Sequence, residues 1–367
     1  MWTIIEQGES CENDDDDADD NEEYREKSGK MDPIEDIPDH SIDQVDQIIN
    51  ELEKNFMTLQ LMKNNFRKTQ LSVLKNHLLQ AEAEFIQACH RDTNLSAHCA
   101  YPRLFVFANL VIDNFLQNID KWTAERHAPS MIANMMTKYY VKARGKGVWA
   151  AIGGCFGDPL SVLLGLVGAV ATGNCCIVKP SGLNKNTSNF LKRICDKCLD
   201  PRFFRMIEGG VETDRKLMTH TKITGIHLVS VDNAQIDWAL ENKMPYTEII
   251  CKRNGGNAAI VDVSCNMETT IGQLVKGKFH NAGQQHYAAD YCLVHANSME
   301  EFKTKLIARI KKLYGADSRN SQYFGRLVSV GHAERTDALI NEFSDKIVYQ
   351  CGKSDVTNRF VPPTIIE

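Results

Sequence analysis

Three short stretches carry residue types whose spacing could support chemistry. Cys195 and Cys198 are two residues apart, the spacing of a zinc or redox pair. Zinc needs a second pair at matching spacing, and none follows, so these read as thiols on one helix face. Arg144-Gly145-Lys146-Gly147-Val148-Trp149-Ala150 contains a GxGxxA string. A dinucleotide-binding turn of that kind leaves a strand and opens a helix, so that amides and helix dipole meet a pyrophosphate. This one opens a strand and reads as a tight turn. Gly153-Gly154-Cys155-Phe156-Gly157 has the better context, because it leaves a strand and precedes a helix. Its glycines allow close backbone approach to a ligand. No Lys-Ser/Thr follows, so it is not a phosphate loop of the nucleotide-hydrolase kind.

These stretches need regular elements to position them. Ser41-Ile42-Asp43-Gln44 makes a capping box and marks the first helix. Leu71, Leu74, Leu78, Ala81, Phe85 and Cys89 step by three or four residues, which predicts one helical face. A third helix is expected from near Pro102 to about Trp122, so the amino-terminal part is helical. The texture then changes. Strands are expected at 138–143 and 147–152, on either side of the Gly145–Gly147 turn, then at 175–178, 203–207, 223–229 and 247–251. Helices at 159–171, 186–199, 211–219 and 234–241 alternate with them. Strand alternating with helix predicts βαβ units and a parallel, doubly wound sheet. Beyond Gly256 come strands at 258–261 and 291–294 and helices at 267–279 and 299–313, with an extended end from Phe360.

Composition narrows the function classes. The 367 residues are 43% hydrophobic and 25% charged, which excludes collagen-like, mostly disordered and disulfide-stapled chains. The net charge of −6 is unevenly spread: residues 1–30 hold 12 acids and 3 bases, the remainder 36 acids and 39 bases. A near-neutral body with an acidic tail is not a nucleic-acid binder by charge. The run from Glu12 to Glu26 is expected to stay solvated. Residues 1–10 lack the features of a secretory signal, and the longest apolar stretch, 159–170, is too short to span a bilayer. Twelve cysteines without a signal read as reduced thiols, which predicts a cytoplasmic protein without a membrane span.

Several separate motifs together resemble the aldehyde dehydrogenase superfamily. They are Gly147-Val-Trp-Ala-Ala-Ile-Gly153, Val167-Gly-Ala-Val-Ala-Thr-Gly-Asn174, Val178-Lys-Pro-Ser181, Gly209-Gly-Val211, and Lys278-Phe-His-Asn-Ala-Gly-Gln284 with Asp290-Tyr291. They stand in the family's order, and the likeness is to its fatty-aldehyde, or class-3, branch. Tyr314-Gly315, Tyr323-Phe-Gly-Arg326 and Val361-Pro-Pro-Thr364 extend it from about Ser41 to the C-terminus. The resemblance implies an α/β fold in two parts, which follow the tail that composition predicts. An acidic disordered tail covers 1–40, a doubly wound Rossmann-type coenzyme domain with N-terminal helices covers 41–251, and a partial α/β catalytic domain covers 252–367. The family oxidises aldehydes with NAD or NADP. A Cys thiolate attacks the carbonyl, hydride leaves to nicotinamide, a Glu activates water, and an Asn side chain and a backbone amide hold the oxyanion.

Position by position, this sequence departs from that chemistry. The nucleophile position, in Gly283-Gln284-Gln285-His286, holds His286. A neutral imidazole is a poorer nucleophile at a carbonyl than a thiolate and gives a labile adduct. The base position falls on Lys252 or Arg253, both cationic near neutral pH. The oxyanion position falls on Gly157, and neighbouring Asp158 adds negative charge where negative charge would develop. In the nucleotide turn Ser230 and Gln235 replace both glycines, and Asp232 would stand near a pyrophosphate. Lys179 and Ser181 remain, with Ser230, as candidate cofactor contacts, while Gly182 replaces the ribose-binding carboxylate. The family continues past the Pro-Thr motif with a nicotinamide-ribose segment and a dimerisation strand. This sequence ends at Glu367, so a truncated catalytic half with an uncovered edge or face is expected. Cys155, Cys251 and His286 fall near the expected cleft, but loops bring such groups together by coincidence, and no metal site is assigned to them.

The expectation is an aldehyde dehydrogenase fold stripped of its reaction. Such a chain is a pseudoenzyme with a binding or structural role, weak or absent NAD or NADP binding, and a protein partner or second copy. The alternative is an active NAD(P)-dependent oxidoreductase converting aldehydes to carboxylic acids. A remoter third is a Rossmann-type reductase without covalent chemistry, which would still need the dinucleotide turn.

Overall fold

The computed structural model describes residues 38–128, 139–153, 160–253 and 255–367. Its amino-terminal layer is helical. Ser41 caps α1 (Ile42–Phe56) as the capping box predicts: its hydroxyl accepts from the Gln44 amide, and the Gln44 side chain accepts from the Ser41 amide. The apolar face expected through 71–89 is buried, but it belongs to two helices, α2 (Asn64–Gln80) and α3 (Glu82–Thr93). The break falls at Ala81 (φ −101°, ψ 23°), where no Gly or Pro announces it. The helix expected from Pro102 starts earlier. It runs as α4 (Ala97–Val106), a π-type wide turn (Phe107–Ile112) and α5 (Asp113–Thr123). Pro102 therefore lies inside α4 rather than at its first turn, the position its missing amide favours.

The strands expected on either side of the Gly145–Gly147 turn do not pair with each other. β2 (Tyr139–Val141) pairs antiparallel with β1 (Arg126–Ala128), and the turn carries the chain into β3 (Val148–Gly153). The Asn174 carboxamide holds that turn, accepting from the Lys146 amide at 2.6 Å and the Gly147 amide at 3.1 Å. A Cβ at Gly145 would stand 2.0 Å from the Gly173 carbonyl oxygen, so only glycine fits there. The GxGxxA string is a structural turn.

From β3 the alternation follows the sequence pattern: α6 (Ser161–Thr172), β4 (Cys175–Lys179), α7 (Lys185–Cys198), β5 (Phe204–Met206), α8 (Val211–Thr219), β6 (Ile223–Val229), α9 (Asn233–Asn242) and β7 (Glu248–Cys251). The five strands form one parallel sheet in the order β5-β4-β3-β6-β7. The chain leaves β3 toward β4 and β5, then returns across β3 to β6 and β7. That reversal is a switch point beyond the carboxyl ends of β3 and β6, the place where doubly wound sheets form a ligand crevice. One core runs from Val45 of α1 to Ala239 of α9 and joins the helical layer to the sheet.

A second, smaller core gathers Val261, Ile271, Val275, Phe302, Ile310, Phe324 and Phe360. It lies among β8 (Ala258–Val261), α10 (Met267–Phe279), β9 (Tyr291–Val294), α11 (Met299–Tyr314), β10 (Ile347–Gln350) and β11 (Thr364–Ile366), while α12 (Val330–Glu342) packs Ala333 and Ile340 with Leu327 and Val361 in a third, small cluster. The extended end expected from Phe360 contains β11, which pairs antiparallel with β10. β8 and β9 pair in parallel, with Ala258 opposite Tyr291 and Ile260 opposite Leu293. One face sends Val261, Cys292 and Val294 to the core. The other leaves Ile260 78%, Leu293 55% and Tyr291 50% exposed, an apolar face without cover among the described residues. No helix among the described residues is long and apolar enough to cross a membrane.

Candidate functional site

The described side chains beside that crevice come from the end of β4, the residues just past β6, and helices α8 and α9. Lys179 is the last residue of β4 and is buried. Its ammonium meets the Asp214 carboxylate of α8 at 3.0 Å. The other Asp214 oxygen accepts from the Gln235 side chain of α9 at 3.0 Å. Burial pushes the Asp214 carboxyl up, and Lys179 and Gln235 hold it back. Ser230, just past β6, is buried and has φ +55°, the left-handed conformation that suits glycine. A non-glycine residue there carries about 1–2 kcal/mol of strain. Asp232 caps α9, accepting from the Gln235 amide at 2.7 Å. The helix end that could meet an anion therefore already meets a carboxylate. Ser181 supports its own turn: its hydroxyl accepts from the Leu183 amide at 3.3 Å, and its carbonyl accepts from the Ser188 hydroxyl at 2.8 Å.

Sequence reasoning missed two acids here, Asp214 and Glu208. Glu208 follows β5 and is buried, with Oε1 lacking a hydrogen-bond partner. Burial drives its carboxyl up to about 7, against the pull of Lys179 and Lys192. The only sequence signal was a lone acid between apolar Ile207 and Gly209-Gly210.

The segment expected to carry the nucleophile position lies beside the second core. Between α10 and β9, Asn281, Ala282 and Gly283 have φ of 52°, 54° and 78°, three successive left-handed residues. Neighbouring segments hold them. The Gln284 side chain donates to the Asn281 and Arg326 carbonyls at 2.9 and 3.0 Å and accepts from the Val328 amide at 2.9 Å. The Arg103 guanidinium of α4 donates to His280 at 2.6 Å. Burial, Arg103 and Lys276 push His280 down to about 4, so it is neutral at pH 7. His286 is half-buried, with its ring edge-on to Tyr287 at 5.1 Å. Its carbonyl accepts from the Asn257 side chain at 2.9 Å, and that same side chain donates to the Ala288 carbonyl at 3.1 Å. The Asn257 amide donates to Asp290 at 3.1 Å. Asn257 thus clamps the His286 segment to the stretch following Gly255 and Gly256.

Lys252 and Arg253 are both exposed, and Arg253 pairs with Asp237 of α9. Gly157, with Cys155 and Asp158, lies outside the described residues. Cys251 is exposed. No group of three or more His, Cys, Asp or Glu side chains among the described residues is placed to hold a metal. Burial pushes the Cys195 and Cys198 thiols up, Cys198 to about 12, so neither is a ready nucleophile or metal ligand.

The described residues form a doubly wound parallel sheet with a helical layer, followed by strand pairs and helices around a smaller core. The chain belongs to the aldehyde dehydrogenase family, whose model matches residues 16–367. It is 29% identical to 4,4'-diaponeurosporen-aldehyde dehydrogenase of Staphylococcus aureus, over 85% of this chain and 68% of that protein. It is 28% identical to aldehyde dehydrogenase family 3 member A2 of Rattus norvegicus, over 87% of this chain and 65% of that protein. Among solved structures it is similar to a substrate-bound state of Staphylococcus aureus AldH. That match has a TM-score of 0.81 and 28% identity, over 88% of this chain and 70% of that one. The chain thus spans about two thirds of the length of these relatives.

Proposed function

We propose that this chain keeps the aldehyde dehydrogenase fold without coenzyme-dependent aldehyde oxidation, and acts by binding. The observation that carries the reading is the Asn257 clamp. It fixes the segment bearing an imidazole, His286, beside Asn257, while the cations Lys252 and Arg253 of the preceding stretch are exposed and Arg253 turns to Asp237. Oxidation through a covalent adduct needs a nucleophile that forms a thioester and a base that later activates water. His286 cannot form a thioester. Arg253 cannot accept a proton, and its guanidinium is tied to Asp237. The nearby Asp290 carboxylate accepts from the Asn257 amide and faces Lys278 at 3.8 Å, so it is committed to structure.

The crevice supports the same reading for the coenzyme. The residues present do not fit a dinucleotide: Asp232 covers the α9 end, Ser230 and Gln235 add side chains to the turn, and Lys179 is held by Asp214. NAD and NADP are expected to bind weakly or not at all. The bare apolar face of β8 and β9 supports a role with a protein partner or a second copy. Ten described cysteines are free, which fits a reducing, cytoplasmic setting. The test is to supply purified protein with NAD or NADP and a long-chain aldehyde, following the reduced-nicotinamide absorbance band. No turnover is expected, and steady production of reduced coenzyme overturns the reading.

A further inference from the structure

We propose that Asp214 is an internal ligand of Lys179 that closes the crevice to nucleotides. The inference rests on the reading above, that this crevice takes nicotinamide dinucleotides poorly. It adds the residue responsible.

Among the described residues the buried cations are Arg67 and Lys179. Arg67 donates to the Ala171 carbonyl and to Asn64, inside the helical layer. Lys179 alone of the two stands at a strand's carboxyl end, on the edge where doubly wound sheets meet ligands. An ammonium there is the natural partner of a phosphate oxygen or a sugar hydroxyl. Asp214 reaches it from α8, and Gln235 fixes Asp214 from α9. Three strand-to-helix connections are tied together by these side chains, although 179, 214 and 235 are far apart in sequence.

The Lys179 and Asp214 side chains are 5% and 11% exposed, so water and salt screen the pair little. A ligand seeking the ammonium must draw it from its Asp214 partner and leave that carboxyl group buried without it. Breaking such a pair is strongly unfavourable. Gln235 adds to the closure because its side chain, on α9, donates to the acid at 3.0 Å. Asp214→Asn removes the charge, keeps the shape and can still accept from Gln235.

Two measurements on the full chain test this. The first is calorimetric titration of NAD, and separately of AMP, into the wild type, Asp214→Asn and Asp214→Ala. Asp214→Asn is expected to bind at least one of them at least about tenfold more tightly than the wild-type limit, the scale of one charge-assisted hydrogen bond. The second is acylation of Lys179 by an N-hydroxysuccinimide ester, read by peptide mass spectrometry against exposed Lys252. Lys179 is expected to label slowly in the wild type and about tenfold faster in Asp214→Asn. Folded variants that neither bind more tightly nor label faster overturn the inference and leave the proposed function standing. Either change without the other also overturns it, because release of Lys179 and opening of the crevice must coincide. Micromolar NAD binding by the wild type overturns both. If neither variant folds, the wild type decides: Lys179 labelling at the rate of Lys252 contradicts sequestration, and slow labelling supports it.

Discussion

Asp92→Ala is expected to destabilise the protein by about 3–5 kcal/mol, because one buried carboxylate caps a helix that cannot cap itself. Asp92 lies in the last turn of α3 and is buried. Its oxygens accept from the Asn186 amide at 3.0 Å, the Asn186 side chain at 2.8 Å, the Thr187 amide at 2.8 Å and the Thr187 hydroxyl at 2.6 Å. Both partners lie in the first turn of α7, whose own N-cap residue, Asn184, makes no side-chain cap bond. Thr187 is 2% exposed, so water cannot replace Asp92 at its amide or hydroxyl. Each orphaned buried donor costs about 1–3 kcal/mol. Two such donors, plus a smaller loss at half-buried Asn186, give the range stated. That is a large share of a typical stability of about 5–15 kcal/mol. Asp92→Asn retains one acceptor oxygen and should lose about half as much. Urea unfolding followed by tryptophan fluorescence measures both, with the slope checked for constancy. A loss below about 1 kcal/mol in Asp92→Ala would mean that the α7 end hydrates freely, which would refute the argument.

Folding raises the Glu208 carboxyl from 4.5 to about 7, so the native state holds its proton more tightly than the unfolded chain. That contribution to stability is complete below about pH 4.5 and is lost as pH rises through about 7. Between about pH 5 and pH 8 the wild type should lose more stability than Glu208→Gln, and equal losses would remove Glu208 as the cause. His286→Cys alone should not restore reduced-coenzyme production, since the proposed base position, Lys252 or Arg253, still carries a cation; steady turnover in that variant would sink the reading, whereas ester hydrolysis would not. Limited proteolysis should cut first beyond about Gly256 and leave an amino-terminal core, because bare Ile260 and Leu293 forgo about 25 cal/mol per Å² of burial. A fully resistant monomer would contradict this.

The doubly wound sheet was legible because buried parallel strands read as short apolar runs. Cys175-Cys176-Ile177-Val178 is such a run, and α8, β6, β8, α10 and β9 fall on the expected residues. The break at Ala81 was not legible, since an apolar stripe continues in phase through both helices. Pro102 misplaced the start of α4 because proline favours a first turn. The turn string 144–150 was read correctly as structural, yet the partner of β2 was not, because three exposed residues carry no pairing signal. In the candidate site, sequence located His286, Lys252, Arg253, Lys179 and Ser230 one at a time. It could not show that Asn257 clamps the first segment or that Asp214 holds Lys179, because those contacts join elements distant in the chain.

We propose that this fold has parted from its coenzyme, and calorimetric titration of NAD and NADP into the purified full chain decides the matter without any choice of aldehyde. No saturable heat is expected for either nucleotide into the millimolar range. A micromolar dissociation constant for either would mean that Ser230, Asp232, Gln235 and the Lys179–Asp214 pair make way for the dinucleotide, and that the fold has kept its coenzyme.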